Sequence, residues 1–240
     1  MILFEALQKD IEHYRPHSLN FKKETVFSEL EPFKLMLSKL PRDMVIQVYT
    51  VNSVADISEL FNMGVHRVYT DLTHADFTHD SERYHQWVQE GRLIAHRGYR
   101  TDPDQENTLS ALLSGIEQFG CIETDIHQLY DGTLILFHND TLDDQPITDF
   151  SYDELNQIAM EHDLPFPIPT LRDLLTAIEA PSHHPSPFIL EIKDPSQPCA
   201  ISVVDMVCEL NLNDKVMVTS FHLDSTRYAR SKDISIGLLY

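Results

Sequence analysis

The sequence predicts a single α/β barrel, and three observations carry this prediction. The chain has 240 residues, close to the ~250 of a typical eight-stranded α/β barrel. Short apolar and β-branched runs alternate along it with helical patterns, as expected for parallel strands joined by crossover helices. Several of these runs end in carboxylate, imidazole or basic side chains, at the position where barrels carry their functional groups.

The first part of the chain provides three predicted strands, at 17–21, 44–51 and 65–71. Three helices are predicted between and after these strands. The first spans 25–40 and is ended by Pro41. The second spans 54–63, with Ser53 as its N-cap and Gly64 at its end, and the third spans 81–91. Residues 1–12 fit a helix, although the first four also fit the end of a strand. This part therefore reads as barrel units rather than as a linker.

The second part has six strand-like runs, at 93–95, 121–126, 134–137, 188–193, 215–221 and 236–240. The helix after the first of them is clear, because Thr108 can cap an apolar stripe that ends at Gly120. Together with the first part this makes nine runs for eight barrel positions. We therefore expect one of the nine to be an edge piece or not a strand.

The charge and hydropathy of the chain disfavour several classes of binding partner. The 18 Lys and Arg residues stand against 38 Asp and Glu, a net charge of -20, so we expect neither nucleic acid nor an anionic membrane surface as partner. No apolar run approaches the ~20 residues of a membrane span, and the start, MILFEALQKD, turns charged too early for a secretion signal. We expect a cytoplasmic protein without an integral membrane segment.

Cysteine and histidine usage outside the strand ends predicts no special chemistry. The three cysteines, Cys121, Cys199 and Cys208, cannot make a disulfide framework, and Cys121 is predicted to be a small buried hydrophobe. The His183-His184 pair lies in a proline-rich stretch and is predicted to be solvated rather than metal-bound.

Carboxylates on two predicted strands indicate a metal site. Side chains alternate with period two along a strand, so Glu123 and Asp125 share one face, as do Glu191 and Lys193. If all these runs are parallel barrel strands, their polar ends meet at the C-terminal mouth. Carboxylate oxygens favour Mg²⁺ or Ca²⁺; the alternative is a set of salt bridges to Arg97 and Lys193.

Two histidines follow predicted strands and are candidates for proton transfer. The histidine side chain has an unperturbed pKa of ~6.5, which suits proton transfer near neutral pH, so His96 and His138 are candidates for that role. Arg97 offers a planar fork for phosphate oxygens, or else a partner for Glu106. Lys193 offers a point charge for phosphate, or else neutralises Glu191.

Short motifs along the chain resemble the glycerophosphodiester phosphodiesterase family. In order they are His96-Arg97-Gly98, Glu106-Asn107-Thr108, Glu123-x-Asp125, Asp131-Gly132, His138-Asn139 and Glu191-Ile192-Lys193. The resemblance implies a (β/α)8 TIM barrel of the phospholipase C-like phosphodiesterase type. It also implies a small-molecule substrate, hydrolysed with one divalent cation, Mg²⁺ or Ca²⁺, to glycerol 3-phosphate and an alcohol.

The same resemblance assigns residues to roles. It implies His96 and His138 as the catalytic acid and base, and Glu123, Asp125 and Glu191 as metal ligands. It implies substrate contacts by five residues: Arg97, Glu106, Lys193, Phe221 and Tyr49. Asn139 stands where the family has Asp, and Tyr49 where it has Trp, which puts the substrate and the pocket rim in question.

The order of the motifs predicts a circularly permuted barrel of residues 1–240. Residues 49–52 and 64–71 resemble the end of the family's sequence but precede His96, so residues 1–92 match its C-terminal units and 93–240 its N-terminal ones. We expect the 65–71 strand to lie beside 93–95, and the last strand near 17–21 or 44–51. The alternative is a chain cut across two adjacent repeats.

Two other functions remain open from the sequence. One is a related barrel phosphodiesterase or lyase acting on a phosphoinositide or a lysophospholipid, since the segment after His138 is short. The other is a binding barrel without catalysis. The oligomeric state does not follow from the sequence.

Overall fold

The computed structural model describes residues 2–102, 105–142, 144–161, 164, 166–178 and 187–240. The predicted solvated pair His183-His184 lies outside the described residues. The strands are β1 (Ser18–Lys22), β2 (Val45–Tyr49), β3 (Arg67–Thr70), β4 (Leu93–His96), β5 (Ile122–Gln128), β6 (Leu134–Leu136), β7 (Thr141–Leu142), β8 (Gln145–Pro146), β9 (Phe188–Ile192), β10 (Val216–Ser220) and β11 (Ser235–Leu239). The helices are α1 (Ile2–Tyr14), α2 (Lys23–Ser28), α3 (Leu30–Leu37), α4 (Val54–Asn62), α5 (Ser81–Gln89), α6 (Leu109–Phe119), α7 (Tyr152–Glu161), α8 (Leu171–Ala177), α9 (Gln197–Glu209) and α10 (Thr226–Ser231).

Eight parallel strands close into a barrel in the order β4-β3-β2-β1-β11-β10-β9-β5, and β5 pairs back onto β4. The predicted neighbours are confirmed: β3 pairs with β4 through Val68 and Leu93, and β11 pairs with β1 through Gly237 and Ser18. Strands from both parts of the chain therefore alternate with helices around one closed ring, as the predicted barrel class requires.

The run at 134–137 is not a barrel strand, and that prediction is wrong. β6 pairs antiparallel with β5, with Ile126 opposite Leu136. The connection between these strands turns at Asp131-Gly132 and is far shorter than the dozen or more residues that a parallel crossover requires, so it can form only a hairpin. Of the nine predicted strand runs, this is the one that takes none of the eight positions in the barrel.

Two helical predictions also need correction. The predicted helix 25–40 is broken at Glu29, whose backbone (φ -121°, ψ 43°) separates α2 from α3. Residues 2–14 form α1, so the strand alternative for the first residues is wrong. By contrast, Ser53 caps α4 as predicted, accepting a hydrogen bond from the Asp56 amide.

The barrel interior is tightly packed. A cluster of buried side chains from neighbouring strands lies inside it, with Tyr69 on β3, Ile94 on β4, Cys121 directly before β5, Ile189 on β9 and Met217 on β10. At Gly237 a Cβ would lie 2.5 Å from Ser18 Oγ and 2.8 Å from Asn20 Nδ2, so β11 tolerates only glycine there. Cys121 is fully buried, as predicted, and all three cysteines are free. Among the described residues, none of the helices is both long and apolar enough to cross a bilayer.

Candidate active site

Three carboxylates converge where the first half of β5 pairs with β9. Asp125 stands in register with Glu191 on the neighbouring strand, and Glu123 lies two residues before Asp125 on the same face. One oxygen from each of these side chains lies within 4.8 Å of the others. The structure thus brings together the residues that the sequence predicted as metal ligands.

Two cations border this cluster. Lys193 Nζ lies 3.0 Å from Asp125 Oδ1 and 2.6 Å from Glu191 Oε1, and Arg97 Nε lies 3.3 Å from Asp125 Oδ2. The salt bridges weighed as the alternative to a metal site are therefore present. They leave one carboxylate more than there are cations, and Glu123 Oε1 is buried without a hydrogen-bond partner among the described residues.

Burial and crowding make the cluster electrostatically unfavourable by itself. Burial, followed by repulsion from Asp125, raises the pKa of Glu191 to about 7 and that of Glu123 well above its ordinary value. Burial alone would also raise the pKa of Asp125, but Lys193 and Arg97 outweigh it and lower that pKa. A hard divalent cation among these oxygens would relieve the repulsion, so the donor set fits Mg²⁺ or Ca²⁺.

His96 ends β4, in register with Glu123. Its Nδ1 lies 2.9 Å from Asp71 Oδ1, and its Nε2 lies 3.9 Å from Glu123 Oε2. Burial would raise the pKa of Asp71, but the hydrogen bond with His96 and a second one from Asn52 hold that pKa far below its ordinary range. The ionised Asp71 accepts a hydrogen bond from Nδ1–H of His96, so Nε2 of His96 faces the carboxylates.

A tight turn follows His96. Arg97 has a left-handed backbone (φ 55°) and so does Gly98 (φ 99°). A Cβ on Gly98 would lie 2.6 Å from the carbonyl carbon of Ala111, so only glycine fits between the turn and α6. The turn aims the Arg97 amide at Glu123 Oε2 (3.3 Å) and its guanidinium at Glu106 Oε2 (2.8 Å).

Asn107, in the Glu106-Asn107-Thr108 motif, fixes one of the carboxylates, that of Asp125. This buried side chain donates to Asp125 Oδ2 (2.9 Å) and accepts from Thr124 Oγ1 (2.7 Å). It stands directly before Thr108, which caps α6 by accepting from the Ala111 amide. One short segment therefore starts the helix and fixes the orientation of Asp125.

His138 reaches the site from the hairpin that β5 and β6 form, not from a barrel strand. Its Nδ1 lies 3.0 Å from Asn139 Oδ1. Burial lowers its pKa, although nearby Asp125 acts in the opposite direction. His138 lines a cleft of about 530 Å³ together with Glu191, Lys193 and Phe221.

Of the two predicted aromatic contacts, Phe221 lines this cleft and Tyr49 packs against Phe221. Phe221 is 45% exposed and lines it. The Tyr49 ring packs edge-on against Phe221 at 6.2 Å, and its hydroxyl donates to the Tyr240 carbonyl oxygen. Phe221 is thus positioned to contact a ligand, and Tyr49 supports it from behind.

Sequence reasoning missed three residues around the site. The sequence places Asp71 at the end of a strand run and Asn107 within a motif, and it indicates no role for either side chain. Arg100 had no signal in the sequence, because its contacts to Asp71 and Glu106 depend on the folded loop. Because the 65–71 and 93–95 strands are predicted to be neighbours, a contact between Asp71 and His96 at their ends could have been inferred from the sequence.

The fold and the site define a TIM barrel with a candidate metal centre between two histidines at its mouth. The sequence model of the Glycerophosphoryl diester phosphodiesterase family matches residues 96–239, more than half of the chain. The chain belongs to this family.

Solved structures agree with that assignment. A glycerophosphodiester phosphodiesterase from Parabacteroides distasonis is 25% identical with a TM-score of 0.51, over 60% of this chain and 63% of that one. A candidate glycerophosphodiester phosphodiesterase from Galdieria sulphuraria is 25% identical with a TM-score of 0.50, over 61% and 63%. The chain thus spans less than two thirds of these relatives. The comparison with curated proteins gave no match.

Proposed function

We propose that this barrel hydrolyses glycerophosphodiesters to glycerol 3-phosphate and an alcohol, with one divalent cation and two histidines. The observation that carries the proposal is the group of three carboxylates within 4.8 Å, with His96 on one side and the cleft of His138 on the other. Membership of the family supports the substrate class.

The cation would be held by Glu123, Asp125 and Glu191, since their oxygens suit Mg²⁺ or Ca²⁺. When bound, such an ion withdraws charge from a non-bridging phosphate oxygen and so lowers the repulsion that a phosphodiester presents to a nucleophile. The unpartnered Oε1 of Glu123 supports this use of the cluster.

The remaining charged side chains bind and orient the substrate. Arg97 presents a planar fork to phosphate oxygens, and its ion pair with Glu106 holds the fork in place. Lys193, held between Asp125 and Glu191, provides a second positive charge. Phe221, partly exposed at the edge of the cleft, contacts the carbon skeleton of the substrate.

The two imidazoles move the protons. One accepts the proton of the attacking hydroxyl as the new P–O bond forms, and the other donates a proton to the alkoxide as the old P–O bond breaks. The attacking hydroxyl belongs either to water or to the substrate's own glycerol, in which case a cyclic phosphate is hydrolysed in a second step. Asp71 holds Nδ1 of His96, so Nε2 is the nitrogen that gains or loses the proton.

We also propose that the barrel is circularly permuted relative to its family. The family match covers β5, β9, β10 and β11 and only the end of β4, whereas the closed ring also needs β1, β2 and β3, which precede it in the chain. The match to these solved relatives reaches only about 60% of either chain, as expected if the remaining units stand in a different order.

A panel of glycerophosphodiesters tests the proposed function, with glycerol 3-phosphate release measured with and without a chelator. Chelator-sensitive release supports it. A cyclic phosphate as the final product would indicate the lyase alternative, and tight binding without turnover would indicate a binding barrel.

A further inference from the structure

We propose that Arg100 is a positioning residue for His96. Its guanidinium holds together the backbone turn that carries His96 and the carboxylate that orients the His96 ring. This inference rests on the proposed function, in which His96 transfers a proton.

Arg100 makes contacts in two directions from a nearly buried position, with its side chain 8% exposed. One terminal nitrogen, Nη1, donates to the carbonyl oxygens of His96 (2.5 Å) and Gly98 (3.3 Å). The other, Nη2, lies 3.1 Å from Asp71 Oδ1 and 3.7 Å from Glu106 Oε2. The fork thus spans backbone on one side and carboxylates on the other.

The backbone contacts matter because the turn is strained. Arg97, a residue with a side chain, adopts φ 55°, which such residues rarely do and which persists only where surrounding contacts enforce it. Arg100 holds the carbonyl oxygens of the residues before and after Arg97. The backbone N–H of Asn107 donates to the carbonyl oxygen of Arg97 itself (2.9 Å). Without Arg100 the turn would keep one of these restraints and lose two.

The carboxylate contact matters because His96 and Arg100 share one acceptor. Asp71 Oδ1 accepts from His96 Nδ1 and lies within ion-pair distance of Arg100 Nη2. Asp71 stands at the end of β3, 25 residues before His96, so Arg100 ties the two strand ends to each other. A guanidinium can satisfy carbonyl and carboxylate at once through its fixed fork, whereas a lysine ammonium is a single point.

The position of Arg100 separates its role from that of Arg97. Its side chain is less exposed than that of Arg97 (8% against 18%), and its Nη1 and Nη2 already contact protein oxygens. Arg100 therefore acts through His96 and Asp71 rather than on the substrate.

The test compares Arg100→Ala and Arg100→Lys with Arg92→Ala in the full chain. Arg92 is a matched control, because it lies just before β4 and its guanidinium also donates to two backbone carbonyls, of Val65 and His66, at the other end of the strand. We expect Arg100→Ala to lower kcat by about 10²-fold with KM nearly unchanged, Arg100→Lys to recover little, and Arg92→Ala to affect the melting temperature but not kcat. Added guanidinium ion should restore part of the kcat of Arg100→Ala, and sodium should not.

A second readout does not need activity. In the wild type the His96 Nδ1 proton should give a slowly exchanging imidazole signal in the ¹⁵N-labelled protein, and Arg100→Ala should shift it or make it exchange rapidly. Unchanged kcat or an unchanged His96 signal in a folded Arg100→Ala protein overturns the inference. If the wild type shows the signal but no turnover, the proposed function is wrong. The comparison of the His96 signal between the wild type and Arg100→Ala then still tests whether Arg100 positions His96.

Discussion

Asp125 and Glu191 face each other in register on two adjacent parallel strands, and the Lys193 ammonium contacts both carboxylates, at 3.0 and 2.6 Å. The centre of the site is therefore set by strand pairing and not by a loop. Groups held on strands keep their relative geometry, which is what a metal centre and a phosphate site both require.

The first prediction concerns metal binding. Glu123→Gln and Asp125→Asn should each weaken the binding of Mg²⁺ or Ca²⁺ by at least about 10²-fold, because each removes a charged ligand, and loss of even an outer-shell partner costs 10–100-fold. Calorimetric titration measures the affinity and the stoichiometry of one ion per chain. Glu209→Gln, an exposed carboxylate paired with Arg172, serves as the control and should bind like the wild type.

The second prediction concerns pH. Because the pKa of Glu191 is raised to about 7 from 4.5, the metal-free folded state binds more protons than the unfolded state between these values. Its contribution to stability is therefore present at low pH and lost as the pH rises through that window. Glu123, whose pKa is also raised, contributes in the same direction as Glu191, whereas Asp125 and Asp71, with lowered pKa values, contribute in the opposite direction and at lower pH.

Thermal unfolding at a series of pH values checks this. Deprotonation of Glu191 should lower the melting temperature of the metal-free protein as the pH rises from 4.5 to about 7. The Glu191→Gln variant should lack this part of the decrease. Saturating Mg²⁺ or Ca²⁺ should also remove it, since the ion binds the deprotonated carboxylates. A pH dependence that is the same with and without the ion, and in the variant, would mean that the cluster does not titrate as the structure indicates.

The convergence of the candidate site residues was predictable from sequence, but their supporting contacts were not. Period-two alternation placed Glu123 with Asp125 and Glu191 with Lys193, and barrel geometry brought the two strands together. The direction of β6 was mispredicted because an apolar run looks the same whether its strand is parallel or antiparallel; the short connection through Asp131-Gly132 was the better signal. The contacts of Arg100 depend on a folded loop and have no periodic pattern.

The third prediction concerns the histidines. His96→Ala and His138→Ala should each lower kcat by ~10²–10⁴-fold while the protein remains folded, and His85→Ala, an exposed histidine on α5, should not. With a substrate whose leaving group is a nitrophenolate, the histidine that acts as the acid becomes dispensable and its variant should recover. Equal losses with both kinds of substrate for both variants would contradict an acid–base pair.

The fourth prediction concerns permutation. A rearranged chain should fold to the same barrel if it starts at Leu72, runs to Tyr240, continues through a flexible linker into residue 2 and ends at Asp71. This is expected because β3 and β4 are neighbours in space and barrels tolerate new termini at surface connections. Its sequence should then align with the solved relatives over most of its length. Circular dichroism and a melting temperature near that of the original chain are the expected results; an unfolded rearranged chain would contradict the proposal.

The most direct test of the account is to titrate Mg²⁺ or Ca²⁺ into chelator-stripped protein while measuring glycerol 3-phosphate released from a glycerophosphodiester. We expect no turnover in the stripped protein, saturation of turnover at one ion per chain, and no recovery at any ion concentration in His138→Ala. Turnover that survives stripping, or that is the same in Glu123→Gln as in the wild type, would contradict it.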